Sequence, residues 1–240
     1  MRFTGPVAGG SARSCSAYAG CPFPPDVIVL AVRWYLRFGL SYRDVEELLA
    51  ERGVEVDHLA IYRWVQRFTP LLVEAARLCR RPVGNRWWID ETYVKVGGQW
   101  RYVHRAIDQH GQVIDVYVAA RRDRAAARAF FQRMLATAAA APVEIVTDGA
   151  PVYPKLIDEL FPAAWHHRER YANNRLEGDH GLLKRRLRPM RHLRNDRTAT
   201  VIITGHAFVQ NLRRGHYHLT TGVPANLRLV AAFDELGQAI

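Results

Sequence analysis

Residues 87–107 run Trp87-Trp88-Ile89-Asp90-Glu91-Thr92-Tyr93-Val94-Lys95-Val96, turn at Gly97-Gly98, and return from Trp100 through Tyr102, Val103, Ala106 and Ile107. Aromatic and β-branched residues dominate both arms, and paired glycines between two such runs signal a hairpin. A second turn at His110-Gly111 leads into residues 113–119, so three strands joined by short turns predict an antiparallel meander. Asp123 is placed to cap an Ala-rich helix reaching about residue 138, and residues 143–147 are a short apolar strand behind it. Strand and helix then alternate, and the pattern returns to helix at residues 174–187 and 198–214. This part of the chain reads as α/β.

Upstream the periodicity is helical. Val27, Ile28, Leu30, Ala31, Trp34, Tyr35 and Phe38 recur on one face, with Gly39 as the stop. Ser41 caps a second helix over residues 42–52, with Val45, Leu48 and Leu49 inward. Asp57 caps a third, to about Phe68, with Ile61, Trp64 and Val65 inward. Short helices around Gly-containing turns predict a small all-α helix-turn-helix unit. A small helical bundle without DNA contact fits the same spacing. Arg63 and Arg67 at i and i+4, with Gln66 beside them, offer a cationic polar face that suits a DNA groove.

The composition narrows the partner. The 240 residues hold 34 Lys and Arg against 23 Asp and Glu, a net charge of +11, with 49% hydrophobic and 24% charged residues. That is a folded globular chain whose cations favour nucleic acid or an anionic membrane surface. No run of about 20 apolar residues is present, and residues 1–25 lack the apolar core of a signal peptide, so no membrane partner and a cytoplasmic location are expected. Cys15, Cys21 and Cys79 match no common zinc or disulfide spacing and read as free thiols. From residue 166 to 215 there are 12 Lys and Arg against 4 Asp and Glu, so much of the excess lies in one stretch.

Three acids stand in unusual settings. Asp90 interrupts a strand that otherwise reads as buried, and an unpaired buried carboxylate is costly. Asp148 follows Ile145-Val146-Thr147 and precedes Gly149 and Pro151, where a strand spills into a loop. Glu177 lies on a helix whose His180 and Lys184 share its face. Clustered carboxylates are tolerated mostly around a hard cation, for which Mg²⁺ is the natural candidate. Two such ions roughly 3.5–4 Å apart can activate a water or a 3′-hydroxyl at a phosphodiester. Taken singly, the acids also fit an edge ion pair, a turn cap and a solvated helix face. Asp179 is turned about 200° from Glu177 and cannot share its ions, while Asp108 and Asp115 read as strand-end and edge acids.

The blocks Arg33-Trp34-Tyr35, Ser41-Tyr42-Arg43, Ala50-Glu51-Arg52-Gly53-Val54, Ile61-Tyr62-Arg63-Trp64-Val65-Gln66-Arg67, Asp90-Glu91-Thr92-Tyr93-Val94-Lys95-Val96, Thr147-Asp148 with Ala150-Pro151 and Tyr153, and Asn173-Asn174 with Glu177, Asp179-His180-Gly181 and Leu183-Lys184 resemble the insertion-sequence-six family of DDE transposases. The resemblance runs from about residue 26 to the C-terminus. It implies a mixed RNase H-like sheet flanked by helices, with Asp90, Asp148 and Glu177 as catalytic metal ligands and Lys184 as the basic residue after the glutamate. One departure is that only 28 residues separate Asp148 from Glu177, fewer than in better-known members. The shortening falls around residues 160–167, read as a loop, where deletions are readily absorbed.

The implied organisation is a flexible leader at 1–25, a helix-turn-helix DNA-binding domain at 26–80, an RNase H-like catalytic domain at 85–215 and a C-terminal tail at 216–240. The implied activity is binding of an insertion sequence's terminal inverted repeats, then Mg²⁺-dependent 3′-end cleavage and strand transfer into target DNA, with a cointegrate as the replicative outcome. Two ions are expected, Mn²⁺ being able to substitute, together with a homodimer or larger assembly on paired ends in a prokaryotic, nucleoid-associated setting. Arg185, Arg186 and Arg188, followed by Arg191 and Arg194, are expected to grip phosphates beside the site. The rivals are a decayed or domesticated transposase acting as a non-catalytic DNA-binding protein, and an RNase H-like nuclease without transfer activity.

Overall fold

The computed structural model describes residues 16–138, 140–168, 174–190 and 193–240. Helices α1 (Pro25–Arg37), α2 (Tyr42–Ala50) and α3 (His58–Ala75) come first, followed by a 3₁₀ turn at Ala76–Cys79. Ser41 and Asp44 form a reciprocal capping box on α2, and Asp57 accepts from the amides of Leu59 and Ala60 at the start of α3. Helix α3 runs past Phe68 and through Pro70, beyond the end expected from sequence. The apolar stripe continues through Phe68, Thr69 and Leu72, all buried, while Pro70 lies on the exposed side. Core packing there outweighs the hydrogen bond that proline removes.

Strands β1 (Arg86–Val96), β2 (Gln99–Asp108) and β3 (Val113–Ala119) form the antiparallel meander that the glycine turns predict. Gly97 and Gly98 both take positive φ, as a two-residue hairpin requires. Helix α4 (Arg124–Thr137), capped by Asp123, leads to β4 (Glu144–Thr147), which lies parallel to β1. Helix α5 (Tyr153–Leu160) and edge strand β5 (Trp165–Arg168) follow. The region around 160–167 read as a loop is thus a four-residue turn, 161–164, between the last residue of α5 and the start of a strand. The short β5 carries little apolar alternation of its own and is held by its parallel ladder with β4.

The sheet order is β3-β2-β1-β4-β5. A meander extended on its β1 side by two parallel strands is the RNase H-like arrangement. Helices α6 (Asn174–Leu187), α7 (Asp196–Arg214) and α8 (Arg228–Gln238) complete the fold, and α8 lies within the stretch read from sequence as a tail.

Side-chain alternation along β1 splits the core in two. Trp87 and Ile89 pack with Phe130, Phe131 and Leu156 of α4 and α5, while Trp88, Val94 and Val96 face the layer built from α1, α3, α6, α7 and α8. Burial of each fully enclosed large side chain contributes about 2–3 kcal/mol. The N-terminal helices thus share one core with the sheet. Tyr18 joins it, stacked on Phe68 at 4.9 Å, whereas residues 1–15 of the expected leader, Cys15 among them, lie outside the described residues. Cys21 and Cys79 are free thiols.

Candidate active site

The last residues that β1 and β4 pair with each other are Ile89 and Thr147, and the next residue along the chain from each is an acid, Asp90 within β1 and Asp148 just past β4. Parallel strands lie about 4.8 Å apart and residues in register project to the same side. The two carboxylates therefore emerge side by side where β4 ends. Gly149, with φ +85°, permits the turn there, and Asp148 Oδ1 accepts from the Ala150 amide at 3.0 Å. Asp90 Oδ1 accepts from the Glu91 amide at 2.8 Å. Burial, with the charges of Asp148 and Glu91, pushes the Asp90 carboxyl up to about 7. Arg122 offsets this only in part, since its ion pair is with Glu91.

The opposite face of β1 supports the acids from below. Glu91, its side chain 5% exposed, accepts from the Tyr153 hydroxyl and from Arg122. Tyr153 is the first residue of α5, so this contact ties the Asp148 turn back to β1. Burial, reinforced by the Glu91 charge, holds the Tyr153 hydroxyl protonated.

Helix α6 meets the acids through His180. Its Nδ1 lies 3.7 Å from Asp90 Oδ2. Burial, together with Arg105 and Lys184, pushes the imidazole down to about 4, so the ring is neutral near pH 7. One residue earlier, Asp179 is buried and pairs with Arg105 at 3.2 Å and with Arg214. Arg105 also donates to Gln210 Oε1 at 3.2 Å, which joins β2, α6 and α7 in one polar knot. Asp179 thus faces the protein, away from Glu177, as helical geometry requires. Sequence reasoning missed Arg105 and Glu91, and it found His180 only as a neighbour on Glu177's face.

Glu177 itself is exposed on α6, and Lys184 places its ammonium 5.2 Å from the Tyr93 ring centroid. Among the described residues no group of three or more His, Cys, Asp or Glu side chains is gathered closely enough to hold a metal ion. The structure brings Asp90 and Asp148 together and leaves Glu177 outside that pair. As donors, two adjacent carboxylates, the charge of Asp148 among those raising the proton affinity of Asp90, fit a hard divalent cation.

The expected DNA contacts divide. Arg63 is exposed on α3, and Gln66 is half-buried beside Tyr42. Arg67 is strapped to the N-terminal segment, donating to Ala17 O at 2.7 Å and lying over Phe68. Arg185 and Arg188 are exposed. Arg186 is not with them: it is buried, donates to Tyr35 O, and sits 4.6 Å from the Tyr35 ring centroid. Its place on the inner face of α6 makes it a bolt to α1, with its guanidinium committed to Tyr35. Arg191 and Asn173 lie outside the described residues. Asp108, fully buried, accepts from the amides of Gly84, His110 and Gln112, and Asp115 pairs with Arg133.

A family model described as a DDE domain matches residues 84–216. The transposase for the insertion-sequence-like element IS431mec of Staphylococcus aureus is 39% identical over 167 residues, covering 68% of this chain and 74% of that protein. The Staphylococcus aureus transposase for IS257 in transposon Tn4003 is 38% identical over the same length. Among solved structures, the HTLV-2 integrase catalytic core domain in complex with magnesium (dimeric form) is 19% identical, with a TM-score of 0.43 over 58% of this chain and 99% of that one.

Proposed function

Because the chain belongs to the insertion-sequence-six family of DDE transposases, enzymes that cut DNA and join it to new sites, we propose that it binds the terminal inverted repeats of its own element, cleaves their 3′ ends and transfers them into target DNA. The observation that carries this reading is the pair Asp90 and Asp148, set side by side where β4 ends against the middle of β1. The family implies a divalent metal, and the reading is two Mg²⁺ ions, replaceable by Mn²⁺, held by Asp90 and Asp148 with Glu177 supplied from α6. When bound, such ions supply Lewis acidity for both attacks on phosphorus, by water and then by a 3′-hydroxyl.

The chain's own groups do the positioning. Asp90 is steadied by its hydrogen bond from the Glu91 amide and by the neutral His180 ring, which adds no charge of its own near pH 7. Lys184, beside Tyr93 and on Glu177's face, offers an ammonium to a phosphate. Arg63 on α3 faces a groove, and Arg185 and Arg188 meet the backbone. The reading includes a helix-turn-helix unit at 26–80, a catalytic unit at 85–215, a dimer or larger assembly on paired ends, and a cointegrate product.

A second reading, a domesticated DNA-binding protein without catalysis, draws on the exposed position of Glu177 and the missing third donor among the described residues. The separating experiment incubates the chain with Mg²⁺, DNA carrying the element's ends and a supercoiled target plasmid. Transposition gives 3′-end nicks and joined products. Binding with neither product would leave the second reading standing.

A further inference from the structure

A cleft of about 730 Å³ opens between the C-terminal end of α1, the later half of α6 and the later half of α7. Arg37, Arg185, Arg186, Arg188 and Arg213 line it with His206, and among the described residues no Asp or Glu does. Among the described residues none of these arginines meets a carboxylate within 4 Å, although exposed arginines elsewhere do so, as Arg124 and Arg128 do with Glu159. Like charges face each other here. The Arg37 guanidinium is held below its usual range by partial burial and by Arg213, which comes from a different helix. The His206 ring is pushed down to about 3 by burial and the surrounding arginines, and its Nδ1 is buried without a partner among the described residues.

A folded chain that draws this many cations together without an acid leaves repulsion that an external anion relieves. The opening is a trough and not a closed cavity, and its arginines come from three helices, so the complementary ligand is extended and carries repeated charge. Resting on the transposase reading, we propose that this cleft is a second DNA-backbone site, in which Arg37, Arg185, Arg188 and Arg213 hold consecutive phosphates of the strand that runs on to the acids. Helix α6 sets the spacing. Glu177 and Arg185 are eight residues apart, about 12 Å along the axis, which at 3.4 Å per nucleotide is three to four positions from the cut. The cleft reads no bases; it fixes register and orientation.

The test is duplex DNA binding by the full chain, followed by fluorescence anisotropy across a salt series. Arg37→Gln with Arg213→Gln should lower the slope of log affinity against log salt by about 1.8, roughly 0.9 per lost phosphate contact, with the thermal midpoint unchanged. Arg124→Gln, away from the cleft, should leave the slope as it is. An unchanged slope in the folded double variant overturns the proposal while leaving end-joining by the wild type intact. Equal competition by millimolar inorganic phosphate and by DNA would also overturn it, by marking a single-anion pocket. A wild-type chain that binds no duplex at all overturns the transposase reading together with the cleft.

Discussion

His180 Nδ1 stands 3.7 Å from Asp90 Oδ2, so the helix that carries Glu177 is registered against the strand that carries the first acid. The ring is neutral near pH 7 and contributes position more than charge. A group that orients a metal-binding carboxylate typically matters by about 10–100-fold in metal affinity or activity. His180→Ala should raise the Mg²⁺ concentration for half-maximal strand transfer by about tenfold while DNA affinity stays put, and His180→Asn should recover part of it. An unshifted Mg²⁺ dependence would deny His180 this role.

The buried pair Arg105–Asp179 ties β2 to α6, with Gln210 and Arg214 completing the knot. Removing one partner leaves a buried charge uncompensated, at a cost of about 3–5 kcal/mol. Arg105→Met and Asp179→Leu should each lower stability in urea by that amount. The double variant should lose clearly less than the sum. Additive losses would mean the two side chains stabilise the fold independently.

His206 sets an acid-side dependence. Its folded-state value, about 3, lies below the ordinary histidine value of 6.5 because of burial and nearby arginines. Between those values the unfolded chain binds the proton and the folded chain does not, so stability falls as pH drops from about 6.5 toward 3. The contribution is about 1.4 kcal/mol per pH unit. His206→Gln should flatten that part of the stability curve and leave it unchanged above pH 7. A slope identical to wild type from pH 6 to 4 would contradict the assignment.

The sheet was legible because its signals are local: Gly97-Gly98 marks the hairpin, and Asp123 and Ser41 mark helix starts. Asp90 and Asp148 were legible for the same reason, as acids standing where a strand is buried or ends. Whatever depended on long-range packing was not. Arg105 and Asp179 lie 74 residues apart and announce nothing singly. The basic run at 184–188 does not say which of its members turns inward, so Arg186 looked like its neighbours until α1 was seen packed against it. Pro70 hid the last turns of α3, because a local breaker cannot report the core contact that overrides it. Edge strand β5 was missed because the ladder with β4 holds it, and its own side chains carry little pattern.

The most direct measurement is strand transfer by Asp90→Asn, Asp148→Asn and Glu177→Gln in Mg²⁺, with duplex binding recorded on the same preparations. Each substitution removes a charge and keeps the side chain's size. Joined product should fall below detection in all three while binding to end DNA persists. Full transfer by Asp90→Asn or Asp148→Asn would contradict the central claim that these neighbouring carboxylates carry the chemistry, and full transfer by Glu177→Gln would remove α6's acid from it.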